Sequence, residues 1–581
     1  MTATDSYLLL RAFVDELTRC GMEHACTSPG SRNTPIVLTL AREQRLHTWS
    51  HVDERCAGFF AVGAAKASGK PVAVTCTSGT ATANLMPAVI EAHQAAIPLI
   101  LLTADRPPEL RDIGAGQTID QLKLYGDAVK WFFELGVQEA TPERLRWVRS
   151  LACRAYWTAA SGRPGPVHIN IPLREPLILE QPLPAEEPGE GGREGGAPWI
   201  TLRESDRATL PAPSGSTPGL PTSDSLVGAV IVAGDLGAGV DSAIAQRIVG
   251  FAERLRIPLL ADPLSGARSG VTAVAHWDLI LREPDTAAKL APSTVIRFGD
   301  LPTSKPLRQW IAGLDAADHI AYSEHESWSD PDSRVGARIL ESYAASLDDL
   351  EARFTTPDDS DWLDRWTRAD SAVAHAIAEP LMGAGLSEPA VVTALAQFLP
   401  PSATLFVAAS MPIRDVEEFF PALREPPRVM ANRGANGIDG TVSSAFGVAA
   451  VSDGPVVLLT GDVTLAHDLG GLLAARRTGL KLTIVLVNND GGGIFNFLAV
   501  AGESDVFEPQ IATPTGLDFS QAAALFGFEH VLSSDIDDFA GALMGALSGE
   551  RGTIIEVRTE RVANRALHAA VADTALTALR D

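Results

Sequence analysis

The sequence is poor in the residues that build disulfide-bonded, zinc-bound, membrane-spanning or nucleic-acid-binding proteins. Five cysteines (Cys20, Cys26, Cys56, Cys76, Cys153) stand among 581 residues, none in C-x-x-C spacing. An odd, unpaired set predicts a reducing compartment and no zinc site. Apolar runs such as 95–104 stop well short of the roughly 20 residues a membrane span needs. The opening Met-Thr-Ala-Thr-Asp-Ser lacks the basic-then-apolar order of a signal peptide. Positive charge is scarce too: 47 Lys and Arg face 72 Asp and Glu, a net charge of −25. Bulk attraction to nucleic acid or anionic membrane is therefore not expected. No H-E-x-x-H occurs, and neither His51 nor His93 has a Ser or Cys nucleophile motif beside it, so hydrolase readings fall away. A cytoplasmic chain is expected. Apolar residues are plentiful at 46%, enough for several cores, and at about 150 residues per domain the length suggests three or four domains.

Residues 1–183 alternate short apolar strands (Val72–Cys76, Leu99–Thr103, Val167–Ile171) with helix patterns (Cys56–Ala67, and one opening at Thr141-Pro142-Glu143). That order predicts a parallel, doubly wound sheet. Between Pro182 and Thr222, 8 prolines and 7 glycines fall in 41 residues. This predicts a linker over 184–222, mobile in Gly189–Gly196. A second α/β unit spans 223–370, a short linker 371–386, and a third α/β unit 387–581, opening at the capped start Ser387-Glu388-Pro389. The expected fold class is α/β, three doubly wound domains with mainly parallel sheets. Gly234-Asp-Leu-Gly237-Ala-Gly239 invites a dinucleotide reading, but the third glycine position holds Ser242 and the fingerprint is incomplete.

The most informative segment is Gly461-Asp462, ending the predicted strand Pro455–Thr460. A helix over Leu465–Thr478 and a strand Leu482–Val487 lead to Asn488-Asn489. In a βαβ unit the two strand ends emerge side by side, so Asp462 and Asn489 can converge where open α/β folds bind ligands. A carboxylate plus an amide oxygen suits Mg²⁺, with phosphate and water completing its shell. Gly491, in Gly491-Gly492-Gly493, allows a backbone carbonyl to join them. The plainer reading is a helix cap at Asp462 and a turn at Asn489.

The spacing, with Asn489 27 positions after Asp462, resembles the fingerprint of thiamine diphosphate enzymes, although Val463 replaces the usual third-position glycine. Such enzymes need a carboxylate on another domain facing the cofactor's aminopyrimidine ring. A buried carboxyl with a raised pKa suits that work, and Glu54, in Asp53-Glu54-Arg55 at a strand–helix junction, matches the position. Further strings narrow the resemblance: Thr27-Ser-Pro-Gly-Ser-Arg32-Asn-Thr-Pro35, Thr77-Ser-Gly-Thr80 with Asn84, Thr103-Ala-Asp-Arg106-Pro-Pro108, and Asn432-Arg433-Gly-Ala-Asn-Gly-Ile438-Asp-Gly440. Together they resemble the 2-succinyl-5-enolpyruvyl-6-hydroxy-3-cyclohexene-1-carboxylate synthases of menaquinone biosynthesis, across all three domains.

The resemblance implies thiamine diphosphate-enzyme architecture, with a pyrimidine-binding first domain and a diphosphate-binding third. It implies a transferase that decarboxylates 2-oxoglutarate and adds the remaining unit to isochorismate in a Stetter-like 1,4-addition. The implied cofactors are thiamine diphosphate and Mg²⁺, with Mn²⁺ as an alternative, held by Asp462, Asn489 and Gly491, and Ile438 supports the cofactor. Both substrates are dianions, so an acidic protein must gather fixed cations around them. Arg32, Arg106, Arg414 and Arg433 match carboxylate-binding positions, as do Gln117 and Ser410. Lys305 is the middle domain's contribution, and Pro306 follows it where some relatives carry Arg. Ile494 and Phe495 match the apolar wall against the isochorismate ring. The cofactor spans first and third domains, which in the family come from different subunits, so a homodimer or homotetramer with interfacial active sites is expected. Two other readings stay open: another thiamine diphosphate enzyme, such as a 2-oxoacid decarboxylase or acetohydroxyacid synthase, or a non-catalytic protein binding a nucleotide or partner through the middle domain.

Overall fold

The computed structural model describes residues 2–183, 192–202, 226–358 and 360–580. Of the expected linker, residues 184–191 and 203–222 lie outside the described residues. So does the start of the stretch read as mobile, whose Glu194–Gly196 forms one 3-10 turn.

Three parallel sheets organise the chain. The first contains β1 (His24–Thr27), β2 (His47–Ser50), β3 (Val72–Cys76), β4 (Leu99–Asp105), β5 (Trp131–Glu134) and β6 (Pro166–Pro172), in the order β2-β1-β3-β4-β6-β5. Every residue of β3, β4 and β6 is buried, as parallel strands covered on both faces require. The middle sheet holds β7 (Ala229–Ala233), β8 (Leu259–Ala261), β9 (Thr294–Phe298), β10 (Asp318–Ser323) and β11 (Ala337–Leu340), ordered β11-β10-β9-β7-β8. The third has β12 (Thr404–Val407), β13 (Arg428–Met430), β14 (Val456–Gly461), β15 (Thr483–Asn488), β16 (Glu529–Ser533) and β17 (Thr553–Arg558), ordered β13-β12-β14-β15-β17-β16. The first and third sheets thus share one winding. In each, the strand order reverses beside the first strand, between β1 and β3 and between β12 and β14. Ligands of doubly wound sheets bind in the crevice at such points, beyond the strands' C-terminal ends.

In the middle sheet, a Cβ at Gly234 would lie 1.9 Å from the Asp300 carbonyl oxygen. Close backbone packing, not a phosphate, demands that glycine. The boundary segment 371–386 is helical through Gly383, the second half of the Trp362–Gly383 helix.

The chain divides into two compact units, one comprising 1–206, 432–452 and 468–480, the other 207–431, 453–467 and 481–581. Within the first, the helix Glu54–Ser68 packs on the helix Thr441–Ala449 in backbone contact. Three glycines permit this. A Cβ at Gly63 would lie 2.0 Å from Ser444 O, one at Gly447 1.9 Å from Phe60 O, and one at Gly440, whose φ is +63°, 1.8 Å from the Phe59 ring. Asp468 secures the same place, its carboxylate accepting from the Ser443 amide at 2.7 Å and hydroxyl at 3.1 Å.

That anchor explains a departure from the expected Leu465–Thr478 helix. The segment begins as a helix at Asp462, breaks after His467, and resumes at Leu473. Gly470-Gly471 favours helix weakly, and a Cβ at Gly471 would meet Ser443 Oγ at 2.7 Å.

Gly447→Ala sets two effects against each other. Alanine gains about 1 kcal/mol in helix propensity, whereas overpacking costs about 1–3 kcal/mol. With the new methyl on a main-chain oxygen, packing should win, and differential scanning fluorimetry should show a lower melting midpoint. An unchanged or higher midpoint would mean the two helices can separate at little cost.

Candidate active site

In the second unit, strand register brings the Gly-Asp end and the paired asparagine together. Gly461 of β14 lies level with Val487 of β15, so the chain reaches Asp462 and Asn489 at the same edge. Asp462 is buried and its Oδ2 accepts from the Gly491 amide at 2.8 Å. Burial pushes its carboxyl up to about 6. Asn489 donates from Nδ2 to Glu388 Oε1 at 2.9 Å, while its Oδ1 is buried with no hydrogen-bond partner.

Gly491 has φ +141°, and a Cβ there would lie 2.8 Å from Ala512 O. Its carbonyl accepts from the Gly493 amide at 2.9 Å and keeps a second lone pair. A carboxylate whose charged form is penalised by desolvation and an amide oxygen lacking a donor both suit a cation. Two or three oxygens in this arrangement fit Mg²⁺ completed by phosphate and water.

Ser410 precedes the helix Met411–Phe419 with φ +75° and ψ −130°, a costly conformation for a residue with a side chain. It follows β12, beside the reversal of the third sheet. Arg414 donates to the Ser410 carbonyl. Burial, together with the like charge of Arg308, holds its guanidinium below its ordinary value. Lys305 is exposed at the start of the helix Lys305–Ala312, capped by Ser304. Ile494 and Phe495 are half-buried in the 3-10 segment Gly493–Phe497, and a Cβ at Gly492 would lie 2.7 Å from the Phe495 ring.

The first unit gathers its own group at the reversal of the first sheet. Arg32, after β1, is buried, donating to Leu173 O at 2.8 Å and to Glu175 Oε1 at 3.1 Å. Its Nε has no hydrogen-bond partner. Arg106, after β4, donates to Ser78 Oγ and, at 2.9 Å, to Gln117 O. Burial and the nearby Arg32 charge lower it. Gln117, at φ +58°, donates back to Ser78 O at 3.0 Å. Glu54 is the first residue of its helix, next to the cap Asp53, and is half-buried rather than buried. Arg433 and Ile438 are half-buried on the loop before Thr441. That loop is fixed by Glu91, which accepts from the Gly434 and Ala435 amides at 2.9 and 2.7 Å.

Glu91, Glu175 and Arg308 carry no sequence signal, and Ser78 and Glu388 lie in the strings Thr77-Ser-Gly-Thr80 and Ser387-Glu388-Pro389 with no site role attached. Their places follow from long-range contacts.

Family models match all three sheets' domains. "Thiamine pyrophosphate enzyme, N-terminal TPP binding domain" covers residues 9–124, "Middle domain of thiamine pyrophosphate" 227–407, and "Thiamine pyrophosphate enzyme, C-terminal TPP binding domain" 414–557. A solved benzoylformate decarboxylase from Polynucleobacter necessarius shares the fold, with TM-score 0.67 over 95% of this chain and 98% of that one at 16% identity. No described helix is long and apolar enough to cross a membrane. Among curated proteins, one named 2-succinyl-5-enolpyruvyl-6-hydroxy-3-cyclohexene-1-carboxylate synthase from Geobacillus thermodenitrificans is 41% identical over 96% of this chain and 94% of its own length. Proteins of the same name from Listeria innocua and Chloroflexus aurantiacus are each 40% identical, over 98% and 95% of this chain and 98% and 93% of theirs. With likeness of that degree running nearly end to end, this chain belongs to the 2-succinyl-5-enolpyruvyl-6-hydroxy-3-cyclohexene-1-carboxylate synthase family of thiamine diphosphate enzymes.

Proposed function

We propose that the chain catalyses the reaction of that family. 2-Oxoglutarate loses CO2, and the remaining four-carbon unit adds to the conjugated ring carbon of isochorismate, giving 2-succinyl-5-enolpyruvyl-6-hydroxy-3-cyclohexene-1-carboxylate for menaquinone synthesis. The observation that carries this reading is the concentration of arginine at strand ends in a protein of net charge −25. Arg32 offers a buried Nε without a partner, beside a second cation, Arg106. Such a cluster suits dianionic substrates better than the monoanion pyruvate.

Bound thiamine diphosphate would supply the electron sink that makes decarboxylation feasible. Asp462, Asn489 and the Gly491 carbonyl would hold Mg²⁺ or Mn²⁺, and with it the diphosphate. Ile438 would pack against the cofactor, and Glu54 would hold the proton exchanged with its aminopyrimidine ring. Arg32, Arg106, Gln117, Ser410, Arg414, Arg433 and Lys305 would orient substrate carboxylates, and Ile494 and Phe495 would exclude water from the ring. Arg308, one turn beyond Lys305 and close enough to depress Arg414, would supply the charge that Pro306 does not. The active form would be a homodimer or homotetramer, each site taking Glu54 from one copy and Asp462 from another.

Purified protein with Mg²⁺ and thiamine diphosphate should release CO2 from 2-oxoglutarate and, given isochorismate, form the adduct. Equal turnover of pyruvate would move it to a different reaction within the fold. Arg32→Ala and Arg106→Ala should each lower kcat/KM for at least one substrate by roughly 30- to several-thousand-fold. This is the kinetic equivalent of losing one partner of a desolvated ion pair, about 2–5 kcal/mol. Arg106 is expected among the residues on the isochorismate side. Near-normal kinetics in both variants, with both substrates, would remove the anion-pocket reading.

A further inference from the structure

An asparagine that ligates a cation must present its oxygen and turn its NH2 group away. Nothing in the side chain's shape decides which end faces the metal, because the amide is nearly symmetric in size. We propose that Glu388 is the positioning residue that sets the Asn489 amide, an inference resting on the cation site assigned above.

Glu388 is the first residue of the helix Glu388–Phe398 and is 3% exposed. Its Oε1 accepts from Asn489 Nδ2 at 2.9 Å and from Thr559 Oγ1, just beyond β17, also at 2.9 Å. Oε1, already accepting the Thr559 hydroxyl, offers no donor to Asn489 Oδ1, so the flipped amide would put two acceptors together. The hydroxyl of Thr559 holds that acceptor in place from the other side. Two further constraints leave the asparagine no other place. The Arg561 Nε donates to its main-chain carbonyl at 3.2 Å, and a Cβ at Gly493 would lie 2.8 Å from its Nδ2. The result is the buried Oδ1 with no protein partner. Partners that orient a metal ligand from behind typically change affinity by about 10–100-fold when removed.

The test is Mg²⁺ titration of the full-length protein in the presence of thiamine diphosphate, read by calorimetry. Wild type that binds no Mg²⁺ under these conditions would overturn the underlying cation site itself. With that site present, Glu388→Ala should weaken Mg²⁺ binding about 10–100-fold, whereas Glu388→Gln, which keeps an acceptor oxygen, should recover most of it. The decisive arm uses Asn489→Asp. A carboxylate has two equivalent oxygens and needs no orienting partner, so Glu388→Ala added to Asn489→Asp should cost no further affinity. Circular dichroism of the apo variants checks that each is folded. Should Glu388→Ala prove unfolded, Glu388→Gln with Thr559→Val replaces it, expected to lose affinity in the Asn489 background only. Equal losses with Asn489 and with Asp at that position, or no loss in either, would overturn the assignment.

Discussion

Replacing Glu54 by glutamine should lower kcat by about 10²–10⁴-fold while thiamine diphosphate remains bound. The range is that of a positioned acid–base group. Glutamine keeps the length and planarity of the side chain and cannot exchange a proton. Glu54 stands at the first turn of a helix held in backbone contact with Thr441–Ala449, so the substitution should leave the scaffold unmoved. Hydrogen–deuterium exchange at the cofactor's thiazolium carbon gives an independent readout and should slow in parallel with turnover. Normal exchange in the variant would take Glu54 out of the chemistry. Glu54→Asp should recover only part, since the carboxyl is kept but withdrawn by one methylene.

The second large effect is expected from Asp462→Ala. If Asp462 holds the cation, the diphosphate would lose its neutralising charge in this variant, and cofactor should wash out on gel filtration in Mg²⁺-containing buffer. Wild type treated with EDTA should behave the same way and recover when Mg²⁺ is restored; the variant should not. Retention of cofactor by Asp462→Ala at wild-type affinity would refute the cation site. The two variants also test assembly. If each site combines Glu54 of one copy with Asp462 of another, a mixed dimer of the two inactive proteins contains one site with both defects and one with neither. Mixing under conditions of subunit exchange should therefore restore part of the activity. No recovery despite demonstrated exchange would mean each site is built within a single chain.

What the sequence made legible was local. Strands such as Val72–Cys76 are continuous apolar runs with β-branched residues, and the structure places β3 over the same residues. The convergence of Asp462 and Asn489 followed from βαβ geometry alone, because parallel neighbours must end at the same edge. Local pattern failed where distant contacts decide. The helix after Asp462 breaks because Asp468 binds Ser443, 25 residues earlier. Glu388 read only as a helix start, though its carboxylate faces a residue 101 positions away. In the sequence the arginines stand out only as cations at positions matching carboxylate binders, whereas Arg32 is buried and tied to Leu173 and Glu175. No periodicity in the sequence near Arg32 encodes those partners.

The intimate fit of Glu54–Ser68 against Thr441–Ala449 also governs how the chain can be made. About 370 residues separate Ser68 from Thr441. At roughly 5–20 residues per second of synthesis, the glycine-lined face with Phe59 and Phe60 stays uncovered on the ribosome for about 20–75 s. The first sheet can wind during that time, but its nascent domain cannot close its surface. Such exposure invites chaperone engagement and aggregation. A fragment ending at residue 183 should carry the same defect permanently and be poorly soluble when expressed alone. Supplying residues 432–480 in trans, or fusing them behind a flexible tether, should restore it.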